Sequence, residues 1–346
     1  MKNKKILLII IGFILAFSII GGTLYLFKDE IFDYTSSVDE NFENEKEEIA
    51  TATPLLYEVT KDGEDTKIYL FGSIHVADDR AYPMQDKILE AYSGSEYLAV
   101  ELDLIAFEKD FKAQMEMLQM FLCESGKTLK DYLSEEWYEI IIQYMKDNDV
   151  YNSAYEMYRP SMLYSLISGV STDKSGLNSD DGIDRYFLKK AKRNSKKILE
   201  LESAELQYKL LASMPDELYE MMIISFIKNE EKEIASLKEM YEAWLNGNIE
   251  EFLNNSNQED IDIEAIKEYL SLEEQQLFDQ VLELMENFNK AMNDDRNDGM
   301  LGTIDTYFKE GKNVFVVVGA AHVVGEYGLV NELGRLGYKV QLIEYK

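Results

Sequence analysis

Two stretches of sequence decide the fold: Ile68–His75, which reads IYLFGSIH, and Val314–His322, which reads VFVVVGAAH. Each begins with a short run of apolar, aromatic and β-branched residues, which is typical of a buried strand. Each run ends at a glycine, Gly72 or Gly319, and a histidine follows three residues later. Glycine at the end of a strand permits a sharp exit and the close approach of a ligand or another loop. The two stretches therefore predict a pair of buried strands whose carboxyl ends form a site.

The histidines of this chain point to function because His75 and His322 are the two that its 346 residues contain. With a glycine frequency of roughly 7%, both histidines would have glycine at this offset by chance about 0.5% of the time. Neutral imidazole is the commonest protein ligand for metals, and open α/β sheets bind ligands in the crevice beyond their strand ends. A single GxxH is more often structural, but the matched pair predicts two site residues.

A carboxylate is expected beside the histidines, because two imidazoles alone bind a divalent metal weakly. Glu101 is the best candidate, since it terminates the apolar run Tyr97–Val100. Asp103 follows it and either shares that face of the strand or caps the next helix. Glu202 follows the next predicted strand and is a second candidate, whereas Glu205 is expected in the first turn of a helix.

Arg296 and Asn297 begin the predicted helix that precedes the second GxxH strand. An arginine at this point could bind a substrate carboxylate or stabilise an oxyanion, and the asparagine could hydrogen-bond the same group. Composition alone favours the alternative, in which the two residues form a surface pair at the start of a helix.

The distribution of apolar residues predicts an α/β fold with a mixed sheet and a large helical insertion. Strand patterns occur at 55–60, 67–71, 97–101, 197–201, 313–318 and 338–343. Helical patterns occur at 84–93, 104–122, 134–147, 182–193, 204–292, 296–309 and 325–336. Asp62-Gly63 predicts a hairpin between the first two strands. The domain is expected to cover 54–346, with the insertion at about 104–180 and 204–292.

The first residues predict a membrane anchor at 1–28, followed by an acidic linker at 29–53. Lysines precede the uncharged run Ile6–Phe27, which at about 1.5 Å per residue is long enough for a hydrocarbon core of about 30 Å. A cleaved signal peptide is the alternative, but its apolar region would be shorter and end in small residues. The lysines favour a cytoplasmic N-terminus, a single pass through the cell membrane and an outward-facing domain.

Charge and cysteine content exclude several classes of function. A net charge of −31 repels phosphate backbones, so nucleic-acid binding is not expected. The single cysteine, Cys123, excludes an intrachain disulfide framework and a thiolate cluster for zinc.

Together these residues resemble the TraB family, which includes pheromone-shutdown proteins, GumN-like proteins and the TIKI proteases. The motifs that carry the resemblance are Tyr69–His75, Val100–Asp103, Gly182-Ile183-Asp184, Leu201–Gln207, Arg296-Asn297 and Val318–Gly325. They occur in the family's order over about residues 55–346.

The resemblance implies a sheet like that of erythromycin esterases and ChaN-type proteins, and metal-dependent hydrolysis of small peptides. It also implies that Arg296 and Asn297 are site residues rather than a surface pair. The predicted mechanism uses His75, His322 and Glu101 as ligands of a divalent metal (manganese, cobalt or zinc). In it, Glu202 accepts a proton and Arg296 stabilises negative charge. The alternative is a surface protein that sequesters a peptide, haem or metal without turnover.

Overall fold

The computed structural model describes residues 49–256 and 280–345, apart from 281, 285 and 289. The predicted membrane segment 6–27 therefore lies outside the described residues, as do most of the linker and part of the predicted helical stretch 204–292. Within the described ranges, no helix has the length and apolar character needed to cross a membrane.

Six strands form one mixed sheet in the order β4-β3-β5-β2-β1-β6. The strands are β1 (Leu56–Thr60), β2 (Ile68–Ser73), β3 (Tyr97–Val100), β4 (Lys197–Glu200), β5 (Val314–Gly319) and β6 (Lys339–Leu342). Strand β1 runs antiparallel to its neighbours β2 and β6, whereas β2, β5, β3 and β4 are mutually parallel. All six predicted strands and the β1–β2 hairpin are confirmed to within two residues at each end.

The pairing of β2 with β5 places the two GxxH motifs side by side, offset by one residue. Gly72 lies opposite Val318, and Ser73 lies opposite Gly319. Strand β3, which ends one residue before Glu101, pairs with the other edge of β5. Because these strands are parallel, both histidine loops and Glu101 leave the sheet at the same end.

Helices occupy more than half of the described residues that lie outside the sheet. They are α1 (Asp86–Gly94), α2 (Leu104–Phe107), α3 (Phe111–Met120), α4 (Glu135–Asp147), α5 (Pro160–Ser175), α6 (Ile183–Arg193), α7 (Ala204–Ala212), α8 (Asp216–Lys228), α9 (Glu230–Leu245), α10 (Ile249–Ser256), α11 (Arg296–Lys309), α12 (Ala320–Val323) and α13 (Leu329–Arg335). The single helix predicted at 104–122 is instead two, α2 and α3, because the Asp110 side chain accepts a hydrogen bond from Ala113 N and begins a new helix there.

Two apolar clusters support this arrangement. One surrounds the sheet, and the other lies among helices α3, α4, α5, α7 and α8. Helix α9 belongs to the sheet cluster, although it lies within the predicted insertion at 204–292. Its Trp244 indole donates to the carbonyl of Gly72 at 2.8 Å, so the helix packs directly behind the first GxxH motif.

Candidate functional site

The two GxxH loops and Glu101 meet at Gly319. An ideal Cβ atom built on Gly319 would lie 3.4 Å from Glu101 Oε1, 3.7 Å from His322 Cδ2 and 3.9 Å from His75 Nε2. The absence of a side chain at Gly319 therefore leaves room where three polar side chains converge. At the other glycine, a Cβ on Gly72 would lie 3.2 Å from Ala320 Cα, so this glycine lets the two loops touch.

His75 is held by a carboxylate. Its Nδ1 lies 2.7 Å from Asp184 Oδ2, and the imidazole and carboxylate side chains are about one-tenth exposed. Burial disfavours the charged imidazole, but the charge and hydrogen bond of Asp184, aided by Glu101, outweigh it and raise the pKa of His75 to about 9. In the absence of another cation, His75 is therefore protonated at neutral pH.

His322 is held by a neutral amide. Its Nδ1 lies 2.8 Å from Asn297 Oδ1, so Nδ1 carries the proton and donates it to the amide oxygen. The amide nitrogen of Asn297 donates in turn to the carbonyl of Tyr327 at 2.9 Å, which fixes the orientation of the amide. Burial and the nearby guanidinium of Arg296 lower the pKa of His322 to about 4, so its Nε2 keeps a lone pair at neutral pH.

Arg296 lies between the two candidate glutamates. Its Nη2 donates to Glu101 Oε2 at 2.6 Å, and its Nε donates to Glu202 Oε2 at 2.9 Å. The three side chains are at most 8% exposed. Glu101 Oε1 also accepts from Gly319 N at 2.8 Å, so the carboxylate of Glu101 is bonded through both oxygens.

The two glutamates differ in acidity. Burial alone would raise both pKa values. For Glu101, the charges of Arg296, His322 and His75 and the bond from Gly319 overcome burial and lower the pKa to about 2. For Glu202, burial prevails over Arg296, and the negative charge of Glu101 adds to it, so its pKa is raised. One carboxylate is therefore permanently ionised, and the other binds a proton more readily.

The chain path around α11 explains how adjacent residues serve different partners. A π-helical turn, Ala291–Asp295, leads directly into α11, and the Met292 carbonyl accepts from Arg296 Nη1 at 3.3 Å. Because successive residues project about 100° apart on a helix, Arg296 reaches the glutamates while Asn297 reaches His322. The Nε, Nη1 and Nη2 atoms of Arg296 are each bonded to a protein group: Glu202, the Met292 carbonyl and Glu101.

Two of the open alternatives are settled by the contacts. Asp103 caps α2, because its side chain accepts from Ala106 N at 3.0 Å and pairs with Lys192. Glu205 lies in the first turn of α7 and forms an exposed pair with Lys209. Neither side chain contacts the cluster around Gly319 through these bonds.

Asp184 is the residue of this cluster that sequence reasoning did not select as a site residue. It was visible in the motif Gly182-Ile183-Asp184, but an acid in the first turn of a helix is ordinary and carries no chemical signal by itself. Its role depends on a contact between residues more than one hundred positions apart, which the sequence does not show.

The side chains of the cluster, imidazoles and carboxylates, are of the types that bind divalent metals in proteins. Both imidazoles bond through Nδ1 and keep Nε2 for another partner, which is the usual arrangement of metal-ligating histidine. Of three buried carboxylates, Glu101 and Glu202 pair with the Arg296 guanidinium and Asp184 pairs with His75, which leaves two excess negative charges when the acids are ionised and both histidines are neutral. A divalent cation would balance that excess.

The spacing of these side chains does not yet suit a bound metal. Among the described residues, no three His, Cys, Asp or Glu side chains are placed as a bound metal would require. Glu101 in particular is engaged by Arg296 and Gly319. A cation at Gly319 therefore requires these side chains to adjust from the positions seen here.

Comparisons with known proteins identify the family of this chain. The sequence profile of the TraB/PrgY/gumN family matches residues 55–342. The uncharacterized protein YbaP of Escherichia coli (strain K12) is 26% identical over 148 residues, which cover 43% of this chain and 53% of YbaP. YbaP of Shigella flexneri matches to the same extent. The chain thus spans about half the length of the curated relatives it matches, and no solved structure matches it significantly.

Proposed function

Because the chain belongs to the TraB/PrgY/gumN family, we propose that it hydrolyses small peptides in a metal-dependent reaction at the cluster around Gly319. The observation that carries the proposal is the convergence of His75, His322 and Glu101 on the Cα of Gly319. The family match supports it because the matched range contains every residue of the cluster.

The proposed ligands of the divalent cation (manganese, cobalt or zinc) are His75 and His322 through Nε2, and Glu101 through a carboxylate oxygen. Such a cation, when bound, lowers the pKa of water and polarises the carbonyl of the scissile amide. Asp184 and Asn297 hold the imidazoles by their Nδ1 atoms, so Nε2 is the atom that each ring offers to the cation. Glu101, with its low pKa, remains an anion throughout.

Glu202 is the proposed proton acceptor. Its raised pKa suits a group that must take a proton at neutral pH and release it to the departing amine. Gln207 Nε2 lies 3.4 Å from Glu202 Oε2, and Arg296 holds the other side of the carboxylate. The two contacts fix its direction.

Arg296 is proposed to act through the two glutamates. The stabilisation of an oxyanion by this residue stays a prediction, and the observed bonds to Glu101, Glu202 and the Met292 carbonyl favour a different role. In that role Arg296 keeps Glu101 ionised and separates it from Glu202. Substrate binding by the guanidinium would require it to release one of these partners.

The test is peptide cleavage by the full chain in detergent, followed by mass spectrometry of a mixture of short apolar peptides. We expect cleavage with added Mn²⁺, Co²⁺ or Zn²⁺, none with excess chelator, and none from His75→Ala or His322→Ala. Glu205→Gln, which removes an exposed acid from the same Leu201–Gln207 motif, should retain full activity.

The competing outcome is tight binding of a peptide, haem or metal without turnover. If the wild-type chain binds peptide but never cleaves it with any of the three metals, the chain is a sequestering protein and the hydrolytic proposal fails. Equal metal content in wild type and in both histidine variants would exclude the proposed metal site.

We also propose that 6–27 anchors the chain in the cell membrane with the catalytic domain outside. The support is the uncharged run and the lysines before it. Protease added to intact cells should digest the domain. The N-terminal sequence of the untreated protein should show that the anchor has not been removed by signal peptidase. A fully protected domain, or a mature chain that begins near Lys28, would contradict this topology.

A further inference from the structure

We propose that Asp184 is a positioning residue, which fixes the tautomer and direction of the His75 imidazole and is itself held by the segment Asn178–Asp184. The inference rests on the proposed function, because it assigns the residue that prepares one ligand of that site. It starts from contacts that are independent of any bound group.

Both carboxylate oxygens of Asp184 are used by the first GxxH motif. Oδ2 lies 2.7 Å from His75 Nδ1, and Oδ1 accepts from Ser73 Oγ at 2.8 Å. Asp184 is 6% exposed, and Ser73 is 1% exposed. The carboxylate thus bridges the first and third positions after Gly72, and it cannot rotate without losing one of two buried bonds.

The backbone around Asp184 is bound to the same loop on both sides of His75. Ile183 N donates to the Ile74 carbonyl at 3.0 Å, and Ala77 and Asn178 exchange two backbone hydrogen bonds of 3.0 and 2.8 Å. These contacts hold the start of α6 against the histidine loop.

Gly182 makes this contact possible. A Cβ atom built there would lie 2.2 Å from the His75 carbonyl oxygen, which is well inside van der Waals contact. The chain therefore needs glycine at 182 in order to bring Asp184 within hydrogen-bond distance of His75 Nδ1. Each residue of the motif contributes one contact with the histidine loop. Gly182 permits the close approach to the His75 carbonyl, Ile183 N donates to the Ile74 carbonyl, and the Asp184 carboxylate bonds His75 Nδ1.

The chemical consequence concerns the proton on Nδ1. An ionised carboxylate only accepts hydrogen bonds, so His75 must carry a proton on Nδ1. Nε2 then faces the cluster around Gly319 as the ligand atom. An asparagine at 184 could instead donate its N–H to Nδ1, which would place the ring proton on Nε2 and block it as a ligand.

The experiment compares Asp184→Asn with Asp181→Asn in the full chain. Asp181 lies in the same segment and carries the same charge, but it is exposed. Calorimetric titration with Mn²⁺ or Zn²⁺ should give about a 10- to 100-fold weaker affinity for Asp184→Asn and an unchanged affinity for Asp181→Asn. Equal losses in the two variants would mean that charge alone matters, and would overturn the assignment.

A second measurement does not depend on metal or turnover. The chain has two histidines, so ¹⁵N NMR can resolve both imidazoles, with His322→Gln used to assign them. In the metal-free wild type, His75 should show a slowly exchanging Nδ1–H, and Asp184→Asn should lose it while the His322 signals stay in place. A wild-type His75 without a protonated Nδ1 would refute the proposal even if the peptidase reading stands. Conversely, a wild type that binds no metal but keeps this signal would refute the proposed function alone.

Discussion

The two GxxH arms of the sheet are alike in sequence motif and different in the residue that bonds each histidine ring. Both arms consist of a buried strand, a glycine and a histidine three residues later, and the pairing of β2 with β5 offsets the two motifs by one residue. Behind His75 stands the carboxylate of Asp184 from α6, whereas behind His322 stands the amide of Asn297 from α11. The motif places the imidazole, and a residue from a distant helix sets its charge.

This difference gives each histidine its own chemistry. His75 is basic and binds a proton tightly until another cation competes for Nε2, while His322 is a neutral donor over the physiological range. A pair of identical neutral rings would leave the surplus of buried carboxylates unbalanced in the absence of metal. Because His75 is protonated and His322 is neutral, the observed pair balances one of the two excess negative charges.

The largest expected effect is the separation of the two histidine titrations. In metal-free wild-type protein, NMR should find His75 charged until the pH approaches about 9 and His322 neutral until the pH falls to about 4. The sign follows from the environments: an anion favours the charged ring of His75, while burial and Arg296 disfavour that of His322. Overlapping titration curves would show that the two arms are equivalent and that the comparison is wrong.

The next largest effect concerns Arg296, whose positive side chain is bonded to both glutamates. Arg296→Met leaves Glu101 and Glu202 buried without their counter-charge, and we expect it to lower the free energy of unfolding by about 3–5 kcal/mol. Urea denaturation followed by circular dichroism measures the loss. The control is Lys209→Met, which breaks an exposed pair with Glu205 and should leave the free energy of unfolding nearly unchanged. Similar losses in both variants would mean that Arg296 is not electrostatically special.

The sequence was sufficient for the sheet because its signals are local. Short apolar or β-branched segments predicted all six strands, and the paired GxxH motifs predicted that the two histidines would converge at the strand ends. Glu101 was found by the same logic, since a residue directly after a buried strand must emerge at the strand end. These features depend on a few consecutive residues.

The remaining parts of the site depend on contacts between distant residues. Asp184 looks like any acid at the start of a helix, and only the close crossing at Gly182 brings it to His75. Arg296 was expected to face substrate, but its partners, Glu101 and Glu202, lie nearly two hundred and one hundred positions away. The break between α2 and α3 was missed because a capping aspartate competes with an otherwise continuous apolar pattern.

A third prediction uses the two motif glycines as a matched pair. Gly319→Ala should keep the fold, because its Cβ would meet its neighbours at 3.4 Å or more, yet it should weaken binding of Mn²⁺ or Zn²⁺ about 10-fold by filling the point of convergence. Gly72→Ala should instead lower stability and leave the point of convergence at Gly319 open. Its Cβ would lie 3.2 Å from the Ala320 backbone, and the resulting strain should cost about 1–3 kcal/mol of stability.

Thermal denaturation and calorimetric metal titration of both glycine variants separate the two effects. Gly302→Ala in α11 is the control, because no atom lies within 4 Å of the added methyl group. If Gly319→Ala bound metal as tightly as wild type, the ligands would not converge at that glycine. If Gly72→Ala were fully stable, the two loops would not be in tight contact there.

The smallest expected effect comes from making the second arm resemble the first. Asn297→Asp places a carboxylate beside His322 Nδ1, where the amide oxygen now accepts, and an anion at this distance favours the charged ring. Burial and Arg296 continue to oppose the proton, so we expect the pKa of His322 to rise by only about 1 unit. The new aspartate can no longer donate to the Tyr327 carbonyl, and a modest loss of stability should accompany the shift.

NMR titration of the two imidazoles measures this change, with Asn331→Asp as the control. Asn331 lies in the same part of the chain and bonds the Gly325 carbonyl, but it is exposed, so its added charge should leave His322 unchanged. A His322 pKa that stays near 4 in a folded Asn297→Asp protein would mean that burial and Arg296, rather than the partner of Nδ1, determine the charge of this ring. The difference between the arms would then originate in their depth in the protein. If the pKa of His322 rises, the residue bonded to Nδ1 determines the charge of the ring. Replacing the Asn297 amide by an acid would then make His322 more like the basic His75.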